Sequence, residues 1–171
     1  MNRKVFTNGS GLITLNDSDY LASGGEADVY RKGKLAYKLY HDPDRMISTG
    51  KIDALARIAR ANVITPRQVV YDHANRRTIG YTMTYLDRAR PLVKLFSAAE
   101  KKQTGLSMKK LAALIEAMRQ TILVIHRAGC LVVDMNEMNI LVSHNHKIPH
   151  FIDTDSYATP GAPATAISRW R

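Results

Sequence analysis

Apolar and polar residues alternate in two pairs of short segments in the first half of the chain, a pattern typical of strands with one buried face. A polar, turn-forming stretch joins the members of each pair, so each pair predicts a β-hairpin. The paired segments are 29–31 with 35–40 and 68–71 with 78–86. Alternation within the second segment places Ala36, Lys38 and Tyr40 on one face of the sheet.

Apolar residues recur at steps of three and four in two other segments, which predicts helices. One helix is expected to begin at Asp42-Pro43-Asp44, where a capping residue precedes proline, and to end at 62–66. The second extends from Ser107 to Arg127 and stops before Gly129. Its apolar positions are Met108, Leu111, Ile115, Met118, Ile122 and Ile125.

Three short apolar runs follow the second helix, and polar loops separate them. The runs are 130–133, 140–142 and 149–152, and a mobile tail is expected at 158–166. The predicted elements are strands first, then a long helix, then short strands. This order favours an α+β fold over alternating βαβ units. We therefore expect two lobes: residues 1–86, an antiparallel sheet with one helix, and residues 87–171, a long helix with polar loops.

The charge of the chain is its one unusual compositional feature. Among 171 residues, 25 are Lys or Arg and 15 are Asp or Glu, a net charge of +10. Such a charge favours phosphates, nucleic acid, an anionic membrane face or an acidic protein. No apolar run approaches the ~20 residues that span a bilayer, and the N-terminus lacks a Sec signal. Cys130 alone excludes an internal disulfide and a thiolate zinc cage.

Four polar features then follow one another along the chain. The glycine pair 24–25 stands where backbone N–H groups can approach phosphate oxygens. Lys38 lies in a strand and needs an anion if it faces inward. Asp134 and Asn139 lie in a polar loop between apolar runs, and Asp153 directly follows an apolar run, which suits Mg²⁺ bound together with phosphates. Each feature alone also fits an ordinary turn, a solvent-facing lysine or a helix cap.

In this order and spacing, residues 22–157 resemble the protein-kinase-like superfamily. The chain is similar to a bacterial kinase-like group with a Gly-Gly-Glu loop, an Asp-x-Asn-Glu-x-Asn catalytic loop and an Asp-Thr-Asp metal motif. These motifs correspond here to 24–26, 134–139 and 153–155. The resemblance implies a two-lobe kinase-like fold with a hinge at 83–86. Because the chain ends 16 residues after Asp155, it also implies a shortened C-lobe, as in minimal bacterial effector kinases.

The resemblance further implies roles for individual residues. Asp134 would orient the acceptor hydroxyl, Lys38 would bind the α- and β-phosphates, and Asn136 would stand where kinases usually have a catalytic-loop lysine. Asn139 and Asp153 would bind Mg²⁺, with Mn²⁺ as an alternative ion. ATP would contact Gly24, Gly25, Glu26, Ala27, Val29, Ala36, Lys38, Met83, Thr84, Tyr85, Leu86 and Leu141.

Some positions depart from the kinase pattern. Gly24 is the one loop glycine kept in its usual place, and the helix expected after Lys38 contains no glutamate. The acids left to pair with this lysine are Asp53, Glu26 and Asp28. Val133 replaces the arginine before the catalytic aspartate, so we expect no switch through activation-loop phosphorylation.

The resemblance implies a minimal ATP- and Mg²⁺-dependent Ser/Thr-type protein kinase. We also expect that its activity depends on a partner. Three alternatives stay open: a pseudokinase that acts as a nucleotide-binding or docking module, a small-molecule phosphotransferase, and a polyanion-binding module without catalysis. The basic charge favours an acidic protein partner or substrate over nucleic acid. The shortened C-lobe predicts an apolar patch on the 107–127 helix, covered by a second copy or a host protein. We expect a cytoplasmic protein, or one delivered into a host cell without a Sec signal.

Overall fold

A computed structural model describes residues 2–97 and 106–164, and the fold is mixed α+β as expected. The chain divides into two compact units, 1–52 with 66–86 and 53–65 with 87–171. One division falls after Leu86, where the sequence also placed a boundary. Segment 53–65 differs: we expected it in the first lobe, and it belongs to the second unit. Within the described ranges, no helix has the length and apolar character needed to cross a membrane.

The first unit is built on a seven-stranded sheet in which all neighbouring strands are antiparallel. The strand order is β2-β1-β6-β7-β5-β4-β3. The strands are β1 (Arg3–Thr7), β2 (Gly11–Leu15), β3 (Tyr20–Ser23), β4 (Ala27–Lys32), β5 (Leu35–Tyr40), β6 (Val69–Asp72) and β7 (Thr78–Thr84).

Both predicted hairpins are present, as β4–β5 and β6–β7. Gly33 turns the first hairpin with φ of 62°, a conformation that glycine adopts without steric cost. Strands β1, β2 and β3 were not predicted. All four residues of β3 are exposed, so this edge strand has no alternation of buried and exposed positions for a pattern to detect.

One face of this sheet forms an apolar core. Its buried residues are Val5, Leu15, Tyr37, Leu39, Val70 and Ile79. Tyr37 and Leu39 come from β5, where they alternate with Ala36, Lys38 and Tyr40. Because successive residues of a strand point to opposite faces, those three residues lie on the other face, as predicted.

The helix expected between the two hairpins is shorter than predicted. Helix α1 covers only Thr49–Ala56. The predicted start at Asp42 is a cap, but of a 3₁₀ turn: its carboxylate accepts from the Asp44 N–H, and the turn ends at Arg45. Ile58 is buried but lies in irregular backbone, and Ala59 is exposed, so the helix-like spacing after Ala56 did not reflect a helix.

The second unit contains the long helix α2 (Met108–Arg127) and a three-stranded antiparallel sheet. Ser107 caps α2 by accepting from the Lys110 N–H, and Gly129 with φ of 78° follows its end, so the predicted bounds are confirmed. The sheet joins β8 (Arg90–Pro91), β9 (Ile140–Val142) and β10 (Pro149–Phe151) in the order β10-β9-β8. Further 3₁₀ turns cover Leu92–Phe96 and Thr154–Ser156 in this unit and Asp17–Asp19 in the first unit.

Three details of the second unit were not part of the predicted elements. The run 130–133 is not a strand: its one bridge joins Leu131 to Ala158. This bridge and a Thr159–Ala162 turn connect the start of the expected mobile tail to the fold by backbone hydrogen bonds, and residues 165–166 lie outside the described range. On α2, the predicted apolar residues Met108 and Ile115 are 79% and 57% exposed.

The close approach of β5 and β7 depends on Gly80. A Cβ atom there would overlap the Lys38 carbonyl oxygen and lie 3.0 Å from Leu39 Cα, both of which are main-chain atoms with little freedom to move. We predict that Gly80→Ala lowers the free energy of unfolding by about 1–3 kcal/mol. Thermal unfolding measures this as a fall in Tm. Gly25→Ala, where a Cβ meets nothing within 4 Å, is the control and should leave Tm unchanged.

Candidate functional site

The first unit carries four of the predicted nucleotide-binding residues, Val29, Ala36, Lys38 and Met83, on the sheet face opposite its core, whereas Thr84, paired with Leu35, lies on the core face. Lys38 of β5 is paired with Val29 of β4 and with Tyr81 of β7. Directly paired residues share a face, so Val29 and Tyr81 lie on the same side as Lys38. Ala36 is 3% exposed and pairs with Met83 on this same face. The register therefore brings the strand lysine together with the small and apolar residues predicted to contact ATP.

Two tyrosine rings flank the Lys38 ammonium group. Its Nζ lies 5.7 Å from the Tyr40 ring centroid and 6.0 Å from the Tyr81 ring centroid. At these distances the ring faces attract a cation. Both rings belong to the lysine face of the sheet, so they hold the ammonium group on that face. The lysine is half-buried rather than directed into water.

Asp28, one of the acids proposed as the partner of Lys38, lies on the other face. It is paired with Leu39, a core residue. Its carboxylate accepts from the Ser23 hydroxyl at 2.7 Å and contacts His41 Nε2 at 3.0 Å. The hydroxyl, followed by the histidine, lowers the pKa of Asp28 below its usual value. The structure therefore gives Asp28 a different role, which is to fix the ends of the glycine loop.

The loop between β3 and β4 is closed by its own backbone. The Gly24 N–H donates to the Ala27 carbonyl at 2.9 Å, so this N–H is not available to a phosphate, contrary to the simplest expectation. The N–H groups of Gly25 and Glu26 have no partner among the described residues, and both residues are exposed. The Glu26 carbonyl accepts from the His41 N–H at 2.9 Å. Two adjacent free N–H groups on a fixed loop can bind an anion.

The predicted hinge, residues 83–86, continues from β7 and is half-buried. The Tyr85 N–H donates to the Lys34 carbonyl at 3.0 Å, so it is already occupied. The Arg31 guanidinium lies 4.2 Å from the centroid of the Tyr85 ring, which fixes that ring against β4. Of the hinge residues, Met83 lies on the lysine face through its pairing with Ala36.

In the second unit, Asp134, Asn136 and Asn139 of the predicted catalytic loop form one network. Asn136 Nδ2 donates to Asp134 Oδ1 at 3.1 Å, and Asn139 Nδ2 donates to Asp134 Oδ2 at 3.0 Å and to the Asp134 carbonyl at 3.0 Å. The Asn136 side-chain oxygen accepts from the backbone N–H groups of Met138 and Asn139. Each carboxylate oxygen thus receives one amide donor and keeps a lone pair for another.

The β9–β10 hairpin brings Asn139 close to the residue before Asp153. Ile140 pairs with Phe151, and the Ile152 N–H donates to the Asn139 carbonyl at 3.0 Å. Asn139 and Asp153 therefore flank the same end of the hairpin. Leu141, predicted to contact ATP, is half-buried in β9 opposite His150.

The donor set at this end of the hairpin fits a magnesium ion. Both hydrogen bonds of the Asn139 side chain use its NH₂ group, so its Oδ1 is left as an acceptor, and Asp153 adds a carboxylate. A Mg²⁺ site of one or two protein oxygens is completed by phosphates and water. Among the described residues, no group of three or more His, Cys, Asp or Glu is arranged to hold a metal, which excludes only sites that need such a group.

Asp153 has a left-handed backbone conformation, with φ 56° and ψ 38°. Aspartate tolerates this region better than most residues. Its carbonyl accepts from the Ser156 hydroxyl at 2.8 Å, and the next residue, Thr154, donates from its buried hydroxyl to the Ile64 carbonyl at 3.0 Å. Burial, followed by the nearby Asp153 carboxylate, raises the pKa of Tyr157, so its phenol stays protonated beside that carboxylate.

Sequence reasoning missed Asn62, which we read only as part of a helix end. Its Nδ2 donates to the Thr121 hydroxyl on α2 at 3.0 Å and to the Pro149 carbonyl on β10 at 2.6 Å, and its carbonyl accepts from the Phe151 N–H. Thus Asn62 joins α2 to the strand that leads into Asp153. No motif marks such a residue, because its partners are 59 and 87 positions away.

Lys51 was also missed. It lies on α1, and its side chain is 3% exposed. A buried ammonium group is stable only where acceptor atoms surround it. Helical periodicity ranks such a lysine as a surface residue, so the sequence held no signal for its burial.

No protein-family model matches this chain, and no curated protein matches it significantly.

The role of Asn62 can be tested by an isosteric change. Asn62→Asp removes the NH₂ group, and with it both hydrogen bonds to Thr121 and Pro149, and places a carboxylate against a carbonyl oxygen. We predict a loss of about 2–3 kcal/mol of unfolding free energy at pH 7, at ~1 kcal/mol for each bond plus repulsion. Chemical denaturation measures it.

Asn145→Asp is the matched control for that experiment. The Asn145 side-chain oxygen accepts from the Ser143 hydroxyl at 2.7 Å and from the Lys147 N–H at 3.2 Å, and aspartate keeps both bonds. We expect it to change stability by less than about 0.5 kcal/mol. Equal losses in the two variants would show that Asn62 does not act through its amide group.

Proposed function

We propose that this protein transfers the γ-phosphate of ATP to a hydroxyl group, with Mg²⁺ as the cofactor, on a protein-kinase-like two-lobe fold. The observation that carries the proposal is the network at Asp134. A carboxylate held by two amides is oriented but not neutralised, and it keeps lone pairs for an incoming hydroxyl.

Asp134 accepts a hydrogen bond from the acceptor hydroxyl and takes its proton as the reaction proceeds. The hydroxyl oxygen forms a bond to the γ-phosphorus, and the bond from that phosphorus to the bridging β-phosphate oxygen breaks, so ADP leaves. Asn136 and Asn139 keep the Asp134 carboxylate in one orientation while the substrates meet. Positioning of this kind is the main contribution of a protein to phosphoryl transfer.

Asn139 and Asp153 would hold the magnesium ion through one amide and one carboxylate oxygen. Bound there, Mg²⁺ neutralises charge on the phosphates. The backbone hydrogen bond from Ile152 to Asn139 would keep the two ligands at the same end of the hairpin, since Asp153 directly follows Ile152. Ser156 and Tyr157 support the Asp153 side of this arrangement.

Lys38 would bind phosphate oxygens, and the free N–H groups of Gly25 and Glu26 would bind a second set of them. The apolar part of the same sheet face, formed by Val29, Ala36 and Met83, offers a flat surface suited to a base.

Asp134→Asn tests the catalytic role of the carboxylate. The change keeps the shape and the hydrogen-bonding size of the side chain but removes the base, so we predict that phosphoryl transfer falls at least 100-fold. Binding of Mg²⁺-ATP, measured by calorimetry, should change less than threefold. Glu137→Gln is the control, because this exposed acid lies in the same loop, and it should keep full activity.

The outcomes separate the hypotheses. Undiminished transfer by Asp134→Asn contradicts the role of Asp134. ATP binding without transfer by the unaltered protein, to protein and small-molecule acceptors alike, supports the pseudokinase alternative. Transfer to a small molecule but not to protein hydroxyls supports the phosphotransferase alternative. Absence of both ATP binding and transfer contradicts the whole proposal.

Asp153→Asn tests the metal site. Asparagine tolerates the left-handed backbone as well as aspartate does, so the fold should persist while the metal loses its charged ligand. We predict that the Mg²⁺ concentration required for half-maximal ATP binding rises at least tenfold, as measured by titration with a fluorescent ATP analogue. Asp87→Asn, a change at an exposed acid, should leave it unchanged. An unaltered requirement in Asp153→Asn would show that this residue is not a ligand.

A further inference from the structure

A groove extends along one side of α2, within the second unit. Two adjoining cavities of about 500 Å³ and 410 Å³ form it, and Lys147 lines both. The first lies between the start of α2 and the turn 145–147, and the second lies between α2 and segment 59–62. The groove follows α2 from Ser107 to Thr121, a distance of about 21 Å over fourteen steps of 1.5 Å.

The floor of the groove is apolar and smooth. Ala113 and Ala117 lie one helical turn apart on α2, with the buried Leu114 between them. Pro149 continues the apolar surface on the opposite wall. Small side chains at a spacing of four residues leave room for larger apolar side chains from a ligand, as in grooves that bind an amphipathic helix.

The rim of the groove is positively charged. Arg60, Lys109, Lys110 and Lys147 line it, and no aspartate or glutamate among the described residues does. None of these four forms an ion pair with another described residue, whereas Arg119 on another side of α2 is bound to Glu116 through two hydrogen bonds of 2.8 Å. Four basic side chains beside an apolar floor are complementary to a ligand that supplies both negative charge and apolar side chains.

We propose that this groove binds an acidic amphipathic helix of a partner protein. About 14 residues of helix match the length of the groove, with apolar side chains on the alanine floor and carboxylates on the lysine and arginine rim. Nucleic acid would use the rim but would leave the apolar floor without contacts, so a polypeptide satisfies more of the surface. The proposal goes beyond phosphoryl transfer and does not depend on it.

The experiment uses the full chain without nucleotide and three probes. The first probe is a 14-residue peptide with leucine at every third or fourth position and glutamate elsewhere, and the second is its lysine counterpart. The third is a single-stranded oligonucleotide of 14 nucleotides. Fluorescence anisotropy measures affinity, and amide NMR shifts locate the site. We expect the acidic peptide alone to bind, with shifts at 107–121, 145–149 and 59–62 and with weaker binding at higher salt.

Charge reversal provides the decisive comparison. Lys109→Glu with Lys110→Glu should weaken binding of the acidic peptide at least tenfold. Lys94→Glu, an exposed lysine of the same unit away from the groove, should not weaken it. Ala113→Glu, at an exposed helix position, should block the floor and abolish binding with the lysines intact. Circular dichroism checks that each variant is folded.

Four outcomes would overturn the proposal. These are no binding of the acidic peptide, equal binding of the lysine peptide, equal loss of affinity in Lys94→Glu, and tighter binding of the oligonucleotide at the same amides. The last outcome would assign the groove to nucleic acid. None of these results bears on whether ATP is bound or phosphate transferred, so the two proposals fail separately.

Discussion

The candidate chemistry of the second unit depends on the backbone of the β9–β10 hairpin. The bond from the Ile152 N–H to the Asn139 carbonyl makes Asn139 and Asp153 neighbours, although 13 residues separate them. The hairpin is short, and short strands alone are marginally stable. We therefore expect Asn62 to stabilise this hairpin, although the residue is only half-buried. Its amide joins β10 to α2, and its carbonyl accepts a further hydrogen bond from β10. Thr154 adds a second link from the same segment, through the Ile64 carbonyl.

In the first unit, a single strand contributes both to the core and to the candidate binding face. Strand β5 supplies Tyr37 and Leu39 to the core and Ala36 and Lys38 to the opposite face, so any shift of register by one residue would place the lysine in the core. Gly80 keeps β7 close enough to β5 for that register to form. Stability and the position of Lys38 are therefore coupled through a residue with no side chain.

The sequence predicted the elements whose signal is local. The β4–β5 turn needed glycine, α2 had a serine cap and a glycine stop, and the spacing of Asp134, Asn136 and Asn139 lay within six residues. Tertiary contacts decided the rest. The exposed edge strand β3 has no alternation of buried and exposed positions. Helix α1 ends at Ala56, and the backbone that follows it is irregular. Asn62 acts through partners that are far away along the chain. Nucleotide contacts were predicted for Gly24, Gly25 and Glu26 alike, because a glycine pair alone does not indicate that the Gly24 N–H is used by the loop itself.

The location of the charge matters more than its sum. Some basic side chains elsewhere in the described chain are paired with acids, as Lys32 is with Asp19 and Arg77 with Asp44. Exposed pairs of this kind add little stability, but they do reduce the local positive field. The four basic side chains of the groove on α2 have no such partner among the described residues, so their charge adds up over its apolar floor. A field localised over an apolar surface accelerates the encounter with an acidic partner and then holds it in one orientation, which a uniformly basic surface could not do.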